Sequence, residues 1–221
     1  MTMDLRLGRD DNEPSYWPVL SDLSITILMI LVLFLAVNAL TSGEAQRQAN
    51  ALHALQAKVA SELHAAVPET QLRVASLDAA RQRLTFAAEL LFPTCQAALR
   101  PEGRQMILAV ARIVKARGGY LESVEVEGHT DRLPIRDNAE CREFPSNWEL
   151  SSARATSVVR VLSDGDFFPG SKLKAIGRSE YVPSDTTNFA ANRRVELVLF
   201  YLPAAAVAWM DSLRLPQPTL R

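Results

Sequence analysis

The chain has 221 residues, 48% of them hydrophobic, so it can hold one globular domain and a membrane segment but hardly two full domains. Its net charge is −1 and its basic residues are scattered, unlike the basic stripe of a nucleic-acid-binding protein, so we expect no nucleic acid partner. Its two cysteines have no CxxC spacing and its three histidines are dispersed, so we predict neither a metal site nor a thiol catalyst.

A long apolar segment follows an N-terminal tail at residues 1–18. Residues 19–40 read VLSDLSITILMILVLFLAVNAL and contain one ionisable group. At about 1.5 Å per residue, such a helix crosses roughly 30 Å of hydrocarbon. The run is longer than the h-region of about 7 to 15 residues in a secretory signal, and no A-x-A-like site follows it closely. We therefore predict an uncleaved transmembrane helix at 19–40.

The ionisable residue of that helix, Asp22, is the candidate for ion translocation. A carboxylate inside an apolar span costs about 2.5 to 3.5 kcal/mol even on lenient insertion scales, and such groups usually face protein or water. Apolar surroundings favour the protonated form, so the group can take up and release a cation. The alternative is that Asp22 lies at the interface or caps the helix after Pro18. Ser24 and Thr26 can supply hydroxyls to it, although such hydroxyls more often bond to carbonyls of their own helix.

Residues 41–70 are predicted to form a helical connector that Pro68 closes. Apolar residues at spacings of three and four mark one stripe along it, formed by Leu52, Leu55, Val59 and Leu63. This stripe covers barely two heptads, so two interpretations are open. Two copies of the chain pair through it as a short coiled coil, or the helix packs on its own domain.

Residues 71–203 carry strand and helix patterns, and residues 204–221 form a C-terminal tail. Two alternating runs, 72–77 and 83–86, indicate a small hairpin or a pair of entry strands. From residue 84 onward the patterns predict strand, helix, strand, helix, strand, strand. The first helix spans about 101–117, and the second begins after Pro145. The later strands lie at 121–127, 173–176 and 194–201. This βαβαββ order predicts an α+β fold.

Three motifs occur in this region: GHTD at 128–131, SNWELSSARA at 146–155 and NRRVELVLF at 192–200. In this order they resemble the OmpA-like peptidoglycan-binding family. The resemblance spans roughly residues 84–201 and implies that family's βαβαββ peptidoglycan-binding domain. Two departures are a longer loop at 132–145 and the turn GRSEYVP at 177–183.

The residues of these motifs suit a zwitterionic ligand. Ser146 and Glu149 form an S-x-x-E capping box that begins a helix at Asn147, and Arg154 lies on the same face of that helix. We expect the Arg154 guanidinium to be free at the rim, where its fork suits a carboxylate. Asp131, at the end of its strand, offers the opposite charge for an ammonium. Diaminopimelate in the peptide stem carries both groups.

The resemblance implies these roles for Asp131 and Arg154. It also implies a set of residues that shape the pocket: Thr130, Asn147, Leu150 and Arg193 or Arg194. The alternative is that Asp131 and Arg154 pair with each other. His129 is interpreted as structural. Because no arrangement of nucleophile and base is visible, we predict no enzymatic activity and no cofactor.

Cys95 follows the first strand of this region, and Cys141 lies in the long loop. An oxidising periplasm would permit a disulfide between them. The sequence does not fix the distance between the two residues, so the bridge is a candidate.

The order of tail, helix with an acid near its start, connector and OmpA-like domain resembles the MotB-type B subunits of flagellar stators. The run YWPVLSDLSITILMILVLFLA, after a tail without a lysine-rich block, resembles the ZorB subunits of Zorya anti-phage defence more than flagellar MotB. The resemblance implies a homodimer inside a pentameric ring of a polytopic A subunit, like ZorA or MotA. Flow of H+ or Na+ through Asp22 would drive rotation. The alternatives are a flagellar stator and a passive tether between membrane and wall.

Loop charges do not decide the orientation, because Arg6 and Arg9 on one side are balanced by Arg47 and Lys58 on the other. The implied ligand, however, lies outside the cytoplasmic membrane. We therefore expect a single-pass protein of the bacterial inner membrane with a cytoplasmic N-terminus. The connector and the C-terminal domain are then periplasmic.

Overall fold

A computed structural model of the chain describes residues 16–116, 120–135, 141 and 143–203, except the side chains of residues 44, 45 and 48. Contacts divide the chain into two units, Met1–Arg47 and Gln48–Arg221, and helix α1, Trp17–Ala66, contributes to both. Most of the predicted N-terminal tail and the whole C-terminal tail, 204–221, lie outside the described residues. The two units are described separately.

The described part of the first unit is the apolar stretch of α1. The segment Trp17–Gly43 is long enough to cross a bilayer and contains the predicted span 19–40, and its most apolar window of 18 residues has a mean hydropathy of 2.7. None of its most apolar window is buried, unlike the core helix of a soluble domain. Ser24 donates to the Leu20 carbonyl at 2.7 Å, and Thr26 donates to the Asp22 carbonyl at 2.8 Å. Both hydroxyls therefore bond to the backbone of their own helix, as expected for such residues.

The part of α1 that belongs to the second unit packs on its own domain. The apolar stripe is buried in the main hydrophobic core, with Leu52, Val59 and Leu63 at most 4% exposed. Gln56 adds polar contacts, because its Nε2 donates to the carbonyls of Asp78 and Ala79 at 2.9 and 3.0 Å. Of the two interpretations of the stripe, the structure shows packing within one chain. The helix ends at Ala66, two residues before Pro68.

Five strands form one sheet in the order β1-β2-β5-β3-β4. Their bounds are β1 Leu72–Ser76, β2 Arg81–Ala87, β3 Leu121–His129, β4 Leu173–Gly177 and β5 Arg194–Tyr201. Strands β1 and β2 form a hairpin, which is one of the two arrangements that the sequence left open. Strand β5 lies antiparallel between β2 and β3, whereas β4 is parallel to β3. A parallel pair requires a crossover, and a helix supplies it here.

The remaining helices are α2 Ala88–Leu91, α3 Pro101–Lys115, α4 Asn147–Asp164 and α5 Phe189–Asn192, with a 3-10 helix at Gly170–Lys172. Helix α4 makes the crossover between β3 and β4. Helices α3 and α4 bury apolar stripes that belong to the same core as the sheet, among them Ile107, Val110, Val158 and Leu162. The order β2-α3-β3-α4-β4-β5 confirms the predicted α+β fold and its βαβαββ core.

Helix α4 begins at the predicted capping box. Ser146 is the N-cap, and its Oγ accepts from the backbone N–H of Trp148 at 3.2 Å. In return, the Glu149 carboxylate accepts from the Ser146 hydroxyl, and this bond is the main cause that lowers the pKa of Glu149. The box fixes the start of α4 and thereby the face that carries Asn147 and Arg154.

Helix α4 also approaches β3 very closely at Gly128, the glycine of the GHTD motif. A Cβ atom at this position would lie 2.1 Å from the carbonyl oxygen of Ser151. Only glycine permits this approach without a shift of the backbone. The contact places Thr130 and Asp131, which follow in the chain, beside the first turns of α4.

Candidate functional site

A cavity of about 510 Å³ opens where the end of β3 meets the start of α4. Four further segments line it: helix α2, the loop after α2, the loop between β3 and α4, and the residue that precedes β5. The cavity brings together most of the residues that the sequence proposed for a ligand site, namely Thr130, Asp131, Asn147, Leu150, Arg154 and Arg193.

The Arg154 side chain is buried, with 5% exposed, and our expectation of a free guanidinium at the rim was wrong. Its Nε donates to the Gln96 carbonyl at 2.9 Å and its Nη2 to the Pro93 carbonyl at 3.5 Å. The guanidinium also lies 5.3 Å from the centroid of the Phe92 ring. The loop after α2 therefore covers this side chain, and no periodic pattern in the sequence placed that loop over α4.

Burial is the main cause that lowers the pKa of Arg154 to about 10, and the nearby charge of Arg193 lowers it further, whereas Asp131 raises it. The guanidinium still carries its charge at neutral pH. Among the described residues, no carboxylate lies within ion-pair distance of Arg154. A desolvated cation without such a partner favours a ligand that brings a carboxylate.

Asp131 pairs with Arg193 and not with Arg154. Its Oδ2 accepts from Arg193 Nη1 at 2.8 Å, and its Oδ1 accepts from the backbone N–H of Leu133 at 3.1 Å. The alternative of a direct pair between Asp131 and Arg154 is therefore not found in the described part of the chain. A carboxylate offers about four acceptor positions, so both oxygens can accept further bonds from a ligand ammonium.

Three smaller contributions complete the cavity wall. Asn147 Nδ2 donates to the carbonyls of Asp131 and Leu133, both at 3.2 Å, and so fixes the turn after β3. Leu150 forms an apolar cluster with Ile135 and Cys141. The buried hydroxyl of Thr130 has no hydrogen-bond partner among the described residues. An orphaned buried hydroxyl costs about 1 to 3 kcal/mol.

Arg194 does not line the cavity. Its Nε donates to Glu196 at 2.7 Å and its Nη2 donates to the Val182 carbonyl at 3.1 Å. Successive side chains of a strand point to opposite faces, so two adjacent arginines at the start of β5 cannot serve the same site. Of the two residues proposed from the NRR motif, the structure therefore places Arg193 in the cavity and Arg194 in a structural ion pair.

His129 lies in a buried network on the face of the sheet opposite the helices. Its Nε2 is 3.5 Å from Glu127 and 3.8 Å from Glu196. Donor atoms of these three residues lie within 4.8 Å of one another, a spacing that could hold a metal ion. Guanidinium groups already pair with both carboxylates, however: Arg178 with Glu127 at 2.7 Å and Arg83 with Glu196 at 3.0 Å. These surroundings support the interpretation of His129 as structural.

Glu127 should make the fold sensitive to acid. The nearby His129 imidazole, followed by the hydrogen bond and charge of Arg178, lowers the pKa of Glu127 from 4.5 to about 2, although burial acts to raise it. A carboxyl whose pKa is lower in the folded state stabilises the fold above its unfolded pKa and loses this contribution as the pH falls. Urea unfolding of the wild type should therefore show stability falling between pH 4.5 and about 2.

The variant Glu127→Gln should lose about 2 kcal/mol at pH 7 and show a flatter profile in the same acidic window. Glu122→Gln, which changes an exposed glutamate of the same strand, serves as the control and should behave as the wild type. A wild-type slope in Glu127→Gln would show that another carboxyl causes the acid sensitivity.

Cys95 and Cys141 form a disulfide in the wall of the cavity. Their Cα atoms lie 4.9 Å apart, and 46 positions separate them in the chain. Cys141 is buried, whereas Cys95 is half-buried. The bond joins the loop after α2 to the loop between β3 and α4.

Part of this unit is similar to OmpA-like domains. Residues 91–196 match the model of the OmpA family. Over 127 residues the chain is 28% identical to Motility protein B of Bacillus subtilis (strain 168), and the match covers 56% of this chain and 46% of that protein. The chain spans less than half the length of the curated relatives it matches.

Solved structures show the same fold. A MotB-like protein from Desulfovibrio vulgaris has a TM-score of 0.62 at 23% identity, covering 72% of this chain and 96% of that one. The cell wall anchor of the T6SS from Pseudomonas aeruginosa has a TM-score of 0.55 at 29% identity, covering 65% of this chain and 97% of that one. The names of these similar proteins refer to motility and to cell wall anchoring, and none of them names an enzymatic activity.

Proposed function

We propose that this chain is the peptidoglycan-anchored B subunit of an ion-driven membrane motor. The observation that carries the proposal is the cavity in which Asp131 and the desolvated Arg154 offer opposite charges to one ligand. The similarity to Motility protein B and to a cell wall anchor supports it. The apolar helix that contains Asp22 supports the membrane part of the proposal.

The ligand is the diaminopimelate centre of the peptide stem. Its carboxylate binds Arg154, whose Nε and Nη2 are held by backbone carbonyls. Its ammonium binds Asp131, which shares its charge with Arg193. The methylene chain between these groups contacts the apolar wall at Leu150. Since the ligand brings both charges, it neutralises both ends of the site without burying an unpaired ion.

The first unit is the motor part of the proposal. Residues 19–40 cross the inner membrane once with the N-terminus in the cytoplasm, and Asp22 exchanges H+ or Na+. The partner is a polytopic A subunit like ZorA or MotA, and two copies of this chain act as a homodimer. The stripe in α1 is buried within its own chain, so the two copies do not pair through it as a coiled coil. A disulfide supports a periplasmic location of the second unit.

Within this class we propose the ZorB role in Zorya anti-phage defence. The support is the membrane run YWPVLSDLSITILMILVLFLA after a tail without a lysine-rich block. The alternatives are a flagellar stator and a passive tether. Neighbouring genes distinguish the first two, because helicase or nuclease genes favour defence and motility genes favour the flagellum.

Co-sedimentation with purified sacculi tests the anchoring function. The full chain in detergent should sediment with sacculi, and a soluble tripeptide that contains diaminopimelate should release it. The matched tripeptide that contains lysine has the ammonium but lacks the carboxylate for Arg154. We expect it to compete at least about tenfold more weakly, because one charge-assisted contact is missing. Equal competition by both peptides, or no sedimentation, would contradict the proposed site.

A further inference from the structure

The disulfide between Cys95 and Cys141 joins two walls of the ligand cavity. Both cysteines line it. Cys95 belongs to the loop after α2, and Cys141 belongs to the loop between β3 and α4, beside Ile135 and Leu150. The bond is therefore part of the site itself, and its loss would change the walls that a ligand touches.

The loop around Cys95 orients Arg154. The two carbonyls that accept from Arg154 belong to Pro93 and Gln96, which flank Cys95 on either side. Cys95 itself has a φ of 56°, in the left-handed region that side chains with a Cβ rarely adopt. Such a conformation is strained and persists where surrounding contacts hold it. The disulfide is a covalent contact of this kind, at the residue whose backbone is strained.

The other end of the bond is firmly packed. Cys141 is 3% exposed and contacts Ile135 and Leu150, and Leu150 belongs to helix α4, which also carries Arg154. The disulfide thus connects the loop that orients the Arg154 guanidinium to the packed cavity wall at helix α4. Without it, the loop from Pro93 to Gln96 can leave its strained conformation and withdraw its two carbonyls from Arg154.

We propose that the Cys95–Cys141 disulfide positions Arg154 for its ligand carboxylate, so that wall binding requires the oxidised chain. The proposal rests on the proposed function of the cavity. A dithiol reductant would remove this positioning of Arg154. The S–S bond breaks, the two sulfurs take up two electrons and two protons to become thiols, and the dithiol becomes a disulfide. Chains that have not been oxidised after export would then bind the wall weakly.

The test compares the affinity of the full chain for the diaminopimelate tripeptide before and after treatment with a dithiol. We expect about a tenfold loss on reduction. The double variant Cys95→Ser with Cys141→Ser should bind as the reduced wild type does and should not respond to the dithiol. Thermal melting of each form must show that it is folded at the assay temperature, so that unfolding is not the cause.

A second variant separates positioning of Arg154 from general support of the fold. Arg154→Lys keeps the charge but has no Nε–H for the Gln96 carbonyl and no planar fork. It should bind more weakly than the wild type and respond to the dithiol less than about twofold. The same tenfold loss in Arg154→Lys would overturn the positioning role, and so would unchanged affinity of the reduced wild type.

Thermodynamic linkage gives a reciprocal measurement. If the oxidised chain binds the tripeptide about tenfold more tightly, saturating tripeptide must favour the disulfide over the dithiol form by the same factor. A thiol–disulfide equilibrium with and without tripeptide measures that shift, and an unchanged equilibrium would overturn the proposal. If the oxidised wild type does not bind the tripeptide at all, the proposed function itself fails. If it binds and reduction has no effect, only this inference fails.

Discussion

Replacement of Asp22 by asparagine is expected to abolish ion-driven output and leave insertion and wall binding intact. Asparagine has nearly the same shape as aspartate but cannot ionise, so it cannot take up and release a cation. The cavity proposed to bind the wall belongs to the other unit of the chain, and the substitution leaves that cavity unchanged. The measurement is the output of cells that express the chain with the proposed A subunit, scored as phage protection or swimming.

Ser24→Ala is the matched control for Asp22→Asn. Ser24 lies two positions away in the same helix, and its hydroxyl bonds only to the backbone carbonyl of Leu20 in the described contacts. We expect this variant to retain output, with equal abundance of both variants in the membrane fraction. Wild-type output from Asp22→Asn would reject the motor and favour the passive tether.

Replacement of Arg154 by alanine is expected to weaken peptidoglycan binding by about a hundredfold, measured by titration with the diaminopimelate tripeptide. The guanidinium is buried and held in place by two carbonyls, so a ligand carboxylate gains a desolvated and oriented partner. Its removal leaves that carboxylate buried without a counter-charge, which costs about 2 to 5 kcal/mol.

Arg160→Ala is the control for Arg154→Ala, because Arg160 is an exposed arginine of the same helix, α4. It should bind the tripeptide as the wild type does. Circular dichroism should show that both variants are folded. A folded Arg154→Ala variant with wild-type affinity would place the ligand elsewhere.

The order of strands and helices could be predicted because the segments have strong periodic patterns. Helix α3 repeats apolar residues at helical spacing, and β5 is apolar along nearly its whole length. The apolar stripe in α1 was equally visible in the sequence, but the surface that covers it was not. Sequence shows that a stripe must be buried and does not show whether the covering surface belongs to the same chain.

The candidate site could be predicted in its charges but not in its contacts. The motifs proposed Asp131 and Arg154, and the cavity contains both. The partner of Asp131 was missed, because the sequence does not say which of Arg193 and Arg194 faces the cavity. The burial of Arg154 was missed because it depends on two backbone carbonyls at Pro93 and Gln96. A backbone acceptor is the same in every residue and leaves no signal in the sequence.

A crystal structure of the second unit, residues 48–221, with a diaminopimelate tripeptide would show whether the cavity is the ligand site. We expect the peptide in the cavity at the end of β3, with a carboxylate at Arg154 and the ammonium of the same centre at Asp131. A peptide bound outside this cavity, or inside it with no carboxylate in contact with Arg154, would show that the proposed site is wrong.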